Sequence, residues 1–452
     1  MIANTESPIL NESTMAEQPV PVGADKLGGP VITEQPKVTA LAWARGLYEV
    51  SDKPSRLVAM EGVRGLMVLL VFLVHYYGIF RPYVTRQPSV YVVSEFILNI
   101  GNAGVDLFFV ISGYLIYGML LRRQTPYLKF VARRIERIYP VFLAVLGLYL
   151  AVSLIWPQVS RIHGSALAKA VYILENVLLL PGIFKIEPII TVAWMLSYMF
   201  FFYLTIPFVV GLTKMWRWPK SARVVFFLGV WVSYVGFSFT ASTSRVRLLM
   251  FIPGILLYEA LTSERVKRLL TRRGEIGAIL LFVASLAFTF AFQIRREVFG
   301  FLPAANAGNT VLPGITTYQG PYRVIVLGVS CFCFGLYCFG FEGFLKRAFS
   351  WRPICYLGNM SYSYYLFHGL TLKVLSVVAF AIIAPQGRSP LLLWLLLPAC
   401  FAVTWVTSTL LFALVEKPFS LENISLPAYF GVLWAHLRGA ALWRVPPIKA
   451  EP

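Results

Sequence analysis

Two ionisable side chains, Arg64 and His75, stand in the first long apolar stretch of the chain, EGVRGLMVLLVFLVHYY. In an α-helix their spacing places both on nearly one face, about 20° apart in rotation and ~16 Å apart along the axis. Ionisable groups inside apolar spans are costly and are therefore functional candidates. A histidine can take a hydroxyl proton near neutral pH and return it to a leaving thiolate, as acyl transfer from a thioester to an alcohol requires. The alternative is a structural histidine that is buried in the core with its hydrogen bonds satisfied.

A carboxylate lies close to this pair. Glu61 precedes Arg64 by three positions, so the two side chains face each other one helical turn apart. The sequence leaves two interpretations open: an ion pair at the end of the helix, or part of one site with His75.

A group of basic residues leads into the third apolar stretch, within YLKFVARRIERIYP: Lys129, Arg133, Arg134 and Arg137. Arg134 and Arg137 share one helical face, and guanidinium groups match the geometry of phosphates. Coenzyme A carries a pyrophosphate and a 3′-phosphate, so an enzyme that draws acyl-CoA from the cytosol needs such a cluster. The alternative is an anchor that follows the positive-inside rule.

The elements that must position these residues are membrane-spanning helices. Of 452 residues, 58% are hydrophobic and 13% are charged, and the mean hydropathy of +0.70 exceeds that of ordinary soluble domains. Apolar stretches of roughly 18 residues or more recur from about residue 65 to residue 415, each long enough to cross a ~30 Å hydrocarbon core. They lack the alternation of membrane barrel strands. The sequence therefore predicts an all-α, polytopic transmembrane helical bundle.

Charge and cysteine content exclude two further classes of function. The net charge of +19 comes from short basic clusters between apolar stretches, so no nucleic-acid partner is expected. The five cysteines show no paired zinc-ligand spacing, so they are interpreted as packing residues and no metal is expected. Four of them fall inside predicted spans: Cys331, Cys333, Cys338 and Cys400.

Ten crossings are predicted. They are 64–81, 93–119, 138–156, 193–213, 224–241, 247–261, 276–294, 322–341, 355–383 and 391–415. An eleventh apolar segment, 166–182, is ambiguous. Four loops hold 18 Lys and Arg in 43 residues: 122–137, 214–223, 264–273 and 346–352. All four stay in the cytoplasm only if 166–182 does not cross. We therefore expect 157–191 to form an outward-facing loop or partly embedded hairpin, with both termini cytosolic.

The remaining chain divides into two tails around one membrane domain. Residues 1–55 are polar and predict a disordered cytosolic tail. Near its end, three side chains share one helical face and indicate either an interfacial helix on the inner membrane surface or a frayed extension: Leu41, Arg45 and Tyr48. Residues 56–420 form the transmembrane domain, and 421–452 a cytosolic C-terminal tail.

Five motifs in their order along the chain resemble the acyltransferase-3 family of membrane-bound, acyl-CoA-dependent O-acyltransferases. They are EGVRG followed by His75, GNAGVDLFFVISGYLI (101–116), RRIERIYP (133–140), LGNMSYSYYLFHG (357–369) and VEKPF (415–419). The resemblance covers about residues 56–420. It implies that His75 is the catalytic histidine, that Arg64 is its essential partner, and that Arg134 and Arg137 engage the acyl-CoA, with Arg133 beside them.

The resemblance also bears on two carboxylates, Glu61 and Asp106, and on a second histidine, His368. Asp106 occupies the family's aspartate place and is either catalytic or a structural hydrogen-bonding group. Glu61 and Asp106 are the carboxylates expected to assist His75. His368 also matches a family position and is expected to line the cavity or order the bundle rather than to act as a second base.

One stretch departs from the family pattern. In WMLSYMFFFY (194–203), Trp194 and Tyr203 match and are expected to line the substrate cavity, whereas Met199 occupies the family's glutamate place. The loss puts the usual acceptor or charge arrangement in doubt. Glu187 in the preceding loop is a candidate substitute.

The leading prediction is an O-acyltransferase in which His75 is the general base. It would move an acyl group, expected to be acetyl from acetyl-CoA, from the cytosol to a hydroxyl of a cell-envelope or exported polysaccharide or glycan, free or lipid-linked. The expected location is the bilayer of a bacterial inner membrane, crossed many times. Two alternatives remain: a transporter or flippase whose buried Arg and His line a path, and an inactive sensor or scaffold, which only Met199 supports.

Overall fold

The computed structural model describes residues 46, 48, 57–80, 88–157, 160–240, 245–299, 319–383 and 391–422. Across this part of the chain the protein is helical and contains no strand, which confirms the predicted all-α class. In chain order the helices are α1 (Val58–Phe80), α2 (Pro88–Arg123), α3 (Tyr127–Ile155), α4 (Ala166–Val177), α5 (Ala193–Thr213), α6 (Lys220–Thr240), α7 (Phe251–Leu261), α8 (Glu264–Leu269), α9 (Arg272–Phe299), α10 (Gln319–Gly340), α11 (Phe344–Phe349), α12 (Arg352–Asn359), α13 (Ser361–Ile383) and α14 (Leu391–Leu411), which continues as a π-helical segment, Phe412–Leu421.

Eight helices in the described ranges are long and apolar enough to cross a membrane: α1, α2, α3, α5, α6, α9, α10 and α14 with its π-helical extension. The multi-spanning helical class is confirmed, whereas ten crossings and cytosolic termini remain predictions. Two predicted spans take other forms. The span 247–261 is a short 3-10 segment followed by the 11-residue α7. The span 355–383 is divided at Met360 into α12 and α13.

The ambiguous segment 166–182 forms only the short helix α4. Ser165 caps its start, because its Oγ accepts a hydrogen bond from the Ala168 amide. The helix has 12 residues and so rises only ~18 Å, well short of a ~30 Å hydrocarbon core. A helix of this length does not cross, in agreement with the expectation drawn from the basic loops.

Helix α1 lies at the centre of the packing, against α2, α12 and α13. Two glycines of its EGVRG motif permit backbone contact with the chain around α12. A Cβ at Gly62 would lie 1.8 Å from the Phe349 carbonyl oxygen, and one at Gly65 would lie 2.0 Å from that of Ile354. The glycines therefore fix the turn of α1 that carries Arg64.

Tyr48 packs against the bundle. Its ring stacks on Tyr356 with a centroid separation of 5.5 Å, and its hydroxyl lies 2.8 Å from Thr409 Oγ1. The Trp405 indole also donates to this hydroxyl. The other two residues of the predicted interfacial face, Leu41 and Arg45, lie outside the described residues, as do most of the predicted N-terminal tail and the C-terminal tail after residue 422.

Candidate active site

A cavity of about 540 Å³ opens between α1, α2, α3, α5 and α13. Five arginines line it: Arg64, Arg122, Arg123, Arg134 and Arg137. No aspartate or glutamate is among the residues that form its walls. The cavity lies toward one end of the bundle, where α1 begins, α2 ends and α3 begins. We call this end the basic end.

Two of the five arginines have a carboxylate behind the wall. Arg64 Nη1 donates to Glu61 Oε2 at 3.3 Å, so the predicted contact across one turn is confirmed. Arg137 Nη2 donates to Glu416 Oε1 at 3.1 Å. Subtracting these two acids from the five guanidinium groups leaves three positive charges around the cavity, which therefore attracts anions.

Glu416 is fully buried at the π-helical end of α14. Besides Arg137, it accepts hydrogen bonds from the backbone N–H of Ser363 at 3.0 Å and from its hydroxyl at 2.6 Å. A buried carboxylate with these donors holds the guanidinium of Arg137 toward the cavity. The sequence contained a signal for it, an acid in an apolar span within VEKPF, but Glu416 was not among the predicted site residues.

Arg134 is held by aromatic rings. Its guanidinium carbon lies 5.1 Å from the ring centroid of Phe130 and 5.7 Å from that of Tyr203, which also lines the cavity. No carboxylate pairs with Arg134 among the described residues. Arg133, the third predicted cofactor-binding arginine, is exposed and does not line the cavity.

Three buried polar atoms of cavity residues have no hydrogen-bond partner in the described structure: Arg134 Nε, Arg137 Nη1 and Ser361 Oγ. Buried polar groups are nearly always satisfied, so such a cluster indicates a ligand that supplies acceptors. Phosphate oxygens meet this requirement, and the donor set fits the phosphates of an acyl-CoA.

His75 lies beside His368. Their ring centroids are 5.1 Å apart and the rings are inclined at 61°. His368 is fully buried, and its Nδ1 lies 2.9 Å from the Tyr364 carbonyl oxygen, which can only accept. Nδ1 therefore carries the proton, and Nε2, which has no hydrogen-bond partner in the described structure, is an acceptor.

Neither histidine is among the cavity-lining residues. Tyr365 connects the two regions: it lines the cavity, and its ring centroid is 6.3 Å from that of His368. The arginine cavity thus ends one aromatic side chain away from the histidine pair. His368 was expected to line the cavity or to order the bundle; Tyr365 stands between it and the cavity, and its fully buried place in the core fits the ordering role.

Asp106 lies outside the cavity, in a buried ion cluster. Arg247 Nε and Arg323 Nε each approach one of its carboxylate oxygens at 3.0 Å. The cluster joins α2 to α10 and to the 3-10 turn before α7, so its geometry favours the structural interpretation of Asp106 over the catalytic one. Trp194 was expected to line the cavity but is not among its lining residues. It packs instead on Arg247, whose guanidinium carbon lies 5.6 Å from the Trp194 ring centroid.

Met199 does line the cavity, together with Tyr203. A carboxylate at this position would offset one of the three positive charges, so the substitution leaves the cavity more basic. Glu187 does not substitute for it there: it is 56% exposed, pairs with Arg161 at 3.1 Å and is not a cavity residue.

Arg122 and Arg123 also line the cavity, although their sequence predicted only a basic loop. Arg122 Nε donates to the Gly118 carbonyl, and its guanidinium lies 5.7 Å from the Tyr258 ring centroid. Their position at the end of α2 was visible in the sequence. The sequence did not show that α2 ends beside the start of α3, so that the arginines of both helices line the same cavity.

The chain belongs to the acyltransferase-3 family, because the family's acyltransferase-domain profile matches residues 57–413, which include both histidines and all five cavity arginines. The resemblance seen in the five motifs is thereby confirmed. A relative in Rhizobium meliloti (strain 1021), the exopolysaccharide production protein ExoZ, is 27% identical over 288 residues, which cover 63% of this chain and 80% of the relative. No solved structure matches the chain.

Proposed function

We propose that the protein is a membrane O-acyltransferase that moves an acyl group, expected to be acetyl, from acyl-CoA to a hydroxyl of an exported or cell-envelope polysaccharide. The observation that carries the proposal is the arginine-lined cavity that ends beside the His75–His368 pair. Membership of an acyltransferase family supports the reaction class. The name of the Rhizobium relative supports an exopolysaccharide acceptor.

The donor would bind from the basic end. Its phosphates would contact Arg134 and Arg137, which line the cavity and each carry a buried donor without a partner, with Arg122 and Arg123 nearer the end of α2. The three excess positive charges favour a polyanionic donor over a neutral one. The positive-inside rule supports a cytosolic position for this end, and thus access to cytosolic acyl-CoA and a location in a bacterial inner membrane.

Glu416→Gln tests how the donor is held. Glutamine keeps one acceptor oxygen but no charge, so Arg137 loses its charged partner and competes with Ser363 for that oxygen. We therefore expect the KM for acyl-CoA to rise by roughly tenfold, since a hydrogen bond to a charged group contributes about 1.5–3 kcal/mol. The measurement is initial rate against acyl-CoA concentration. Glu422→Gln, a matched change at an exposed position just beyond the π-helical segment, should leave the KM unaltered. An unchanged KM in Glu416→Gln would argue against this role of Arg137.

His75 would act as the general base. It would take the proton of the acceptor hydroxyl as the oxygen attacks the thioester carbonyl. The carbon–sulfur bond then breaks, the acyl group stays on the acceptor oxygen, and the thiolate of coenzyme A receives the proton from His75. Arg64, on the same face of α1 as His75 but nearer the basic end, would stabilise the negative charge that develops in this step or hold the thioester.

His368 would position His75 rather than exchange protons with substrate. Its Nε2 is an acceptor without a partner in the described structure, so an N–H of His75 that turned toward it in the reacting complex would leave the other His75 nitrogen free as the base. A fixed tautomer and ring orientation of the base are what this reaction requires.

His368→Phe tests the positioning role, because it preserves an aromatic ring and removes the acceptor. We expect kcat to fall by roughly tenfold or more, since leaving a buried donor unsatisfied costs about 1–3 kcal/mol, while the KM for acyl-CoA stays within experimental error. The pH dependence of kcat should also shift, because phenylalanine offers no acceptor for the proton of His75 in the reacting complex. A lower yield of folded protein with an unchanged kcat per folded molecule would instead show that His368 serves only in packing.

Purified protein in detergent, supplied with labelled acyl-CoA and the polysaccharide of the producing cell, tests the proposal as a whole. Transfer of label to polysaccharide, released by mild base as expected of an ester, would support an O-acyltransferase. A transporter or flippase would move polysaccharide or lipid-linked sugar in vesicles without modifying it. Label that never leaves the donor, with verified folding, would contradict the proposal.

A further inference from the structure

A second cavity, of about 400 Å³, lies on another side of the bundle, between α6, α7 and α10. It shares no lining residue with the arginine cavity. Its walls are apolar along most of their length, with Leu228, Trp231, Leu256 and Phe332 among them. Leu228 and Val329 are 45% and 47% exposed, so the cavity is a groove that opens toward the surroundings of the bundle.

The polar lining residues of this groove are confined to one end. Lys220 stands at the start of α6, Glu259 near the end of α7, and Ser263 just after it. From Lys220 to Trp231 the helix rises ~16 Å, about half of a ~30 Å hydrocarbon core. The groove thus has the length of one leaflet, with its polar end at the basic end of the bundle.

Charge at the polar end favours an anion. Glu259 is fully buried and already neutralised by Arg223, whose Nε and Nη2 donate to it at 2.6 and 3.1 Å, while the Tyr117 hydroxyl donates at 2.7 Å. Lys220 Nζ donates to a hydroxyl, Thr262 Oγ1 at 3.2 Å, and forms no ion pair within the part of the chain that the structure describes. The flanking segments 214–223 and 259–268 together hold seven Lys and Arg and two Glu.

We propose that this groove binds an anionic phospholipid, with one acyl chain along the apolar wall and the phosphate at Lys220 and Ser263. An apolar channel of one leaflet's length fits an acyl chain, and the local excess of cations selects a negatively charged headgroup over a zwitterionic one. Basic pockets between membrane helices at the surface of the bilayer recognise lipid headgroups by this chemistry. The site is independent of the proposed reaction.

Native mass spectrometry of the full-length protein in detergent tests the site, with phosphatidylglycerol or phosphatidylcholine of identical chains added in turn. We expect the wild type to retain phosphatidylglycerol in preference to phosphatidylcholine. Lys220→Gln should weaken phosphatidylglycerol binding by roughly fivefold, the effect of about one cation on an anionic lipid, without altering phosphatidylcholine binding.

Leu228→Trp should block the groove and reduce the retention of both lipids. Val230→Trp is the matched control, because Val230 is similarly exposed on α6, at 41%, and does not line the groove. Equal retention of the two lipids by the wild type would overturn the proposal, as would full phosphatidylglycerol retention by folded Leu228→Trp. Thermal unfolding of each variant identifies any that fails to fold, and Lys220→Gln, at the edge of the groove, keeps the test decisive in that case.

Discussion

His75→Ala is expected to eliminate polysaccharide O-acylation, with the rate of transfer falling by about 10²–10⁴-fold, the usual contribution of a positioned general base. The expected loss is in kcat. Alanine removes the proton acceptor but none of the arginines that would hold the donor, because those guanidinium groups belong to α1, α2 and α3 near the basic end. The KM for acyl-CoA should therefore change little.

Proton NMR of the purified polysaccharide is the measurement, because acetyl methyl protons report O-acetylation directly and mild base removes them. Cells that carry wild type, His75→Ala or no protein are compared at equal membrane expression. His163→Ala is the matched control. It is the same substitution at an exposed histidine in the loop before α4, and O-acylation should persist at the wild-type level.

Unchanged O-acylation in His75→Ala at normal expression would exclude the general-base assignment. If polysaccharide export stops in that strain and the purified wild type transfers no label, the results support a transporter or flippase. An inactive scaffold would show no effect of His75→Ala in either assay. The three hypotheses that the sequence left open therefore give three different pairs of results.

The sequence allowed the contents of single helices to be predicted well. The spacing of Glu61 and Arg64 predicted a contact that the structure contains, and the shared face of Arg134 and Arg137 predicted that both would reach one site. Helical periodicity fixes such relations within a few turns. Arg133, adjacent in sequence but on another face, is correspondingly exposed.

Relations between distant helices could not be predicted in this way. Glu416 meets Arg137 across 279 residues, and Arg323 meets Asp106 across 217. Spacing shows which residues share a face but not which helix that face meets, so Glu416 was missed and the two interpretations of Asp106, catalytic and structural, stayed open. The division of 355–383 at Met360 was also missed, because an apolar run does not reveal a break that tertiary packing sets.

Asp106→Asn is expected to lower the stability of the protein more than any other single change considered. It would leave Arg247 and Arg323, whose side chains are only 5% and 12% exposed, without a compensating charge. Breaking a buried ion pair by removal of one partner costs about 3–5 kcal/mol. We expect a lower midpoint of thermal unfolding in detergent and a smaller monodisperse fraction, while protein that does fold retains most of its activity per molecule.

The double variant Asp106→Asn/Arg323→Gln separates a structural Asp106 from a catalytic one. Removing the second arginine with the aspartate leaves one buried cation instead of two, so part of the lost stability should return. A catalytic carboxylate would behave differently: folding would be normal in Asp106→Asn, activity per folded molecule would be lost, and the second substitution would restore nothing. If Asp106 is structural, it acts on the reaction only indirectly. The ion cluster holds α2 against α10, and α2 carries part of the cavity wall, so the cluster sets the position of that wall.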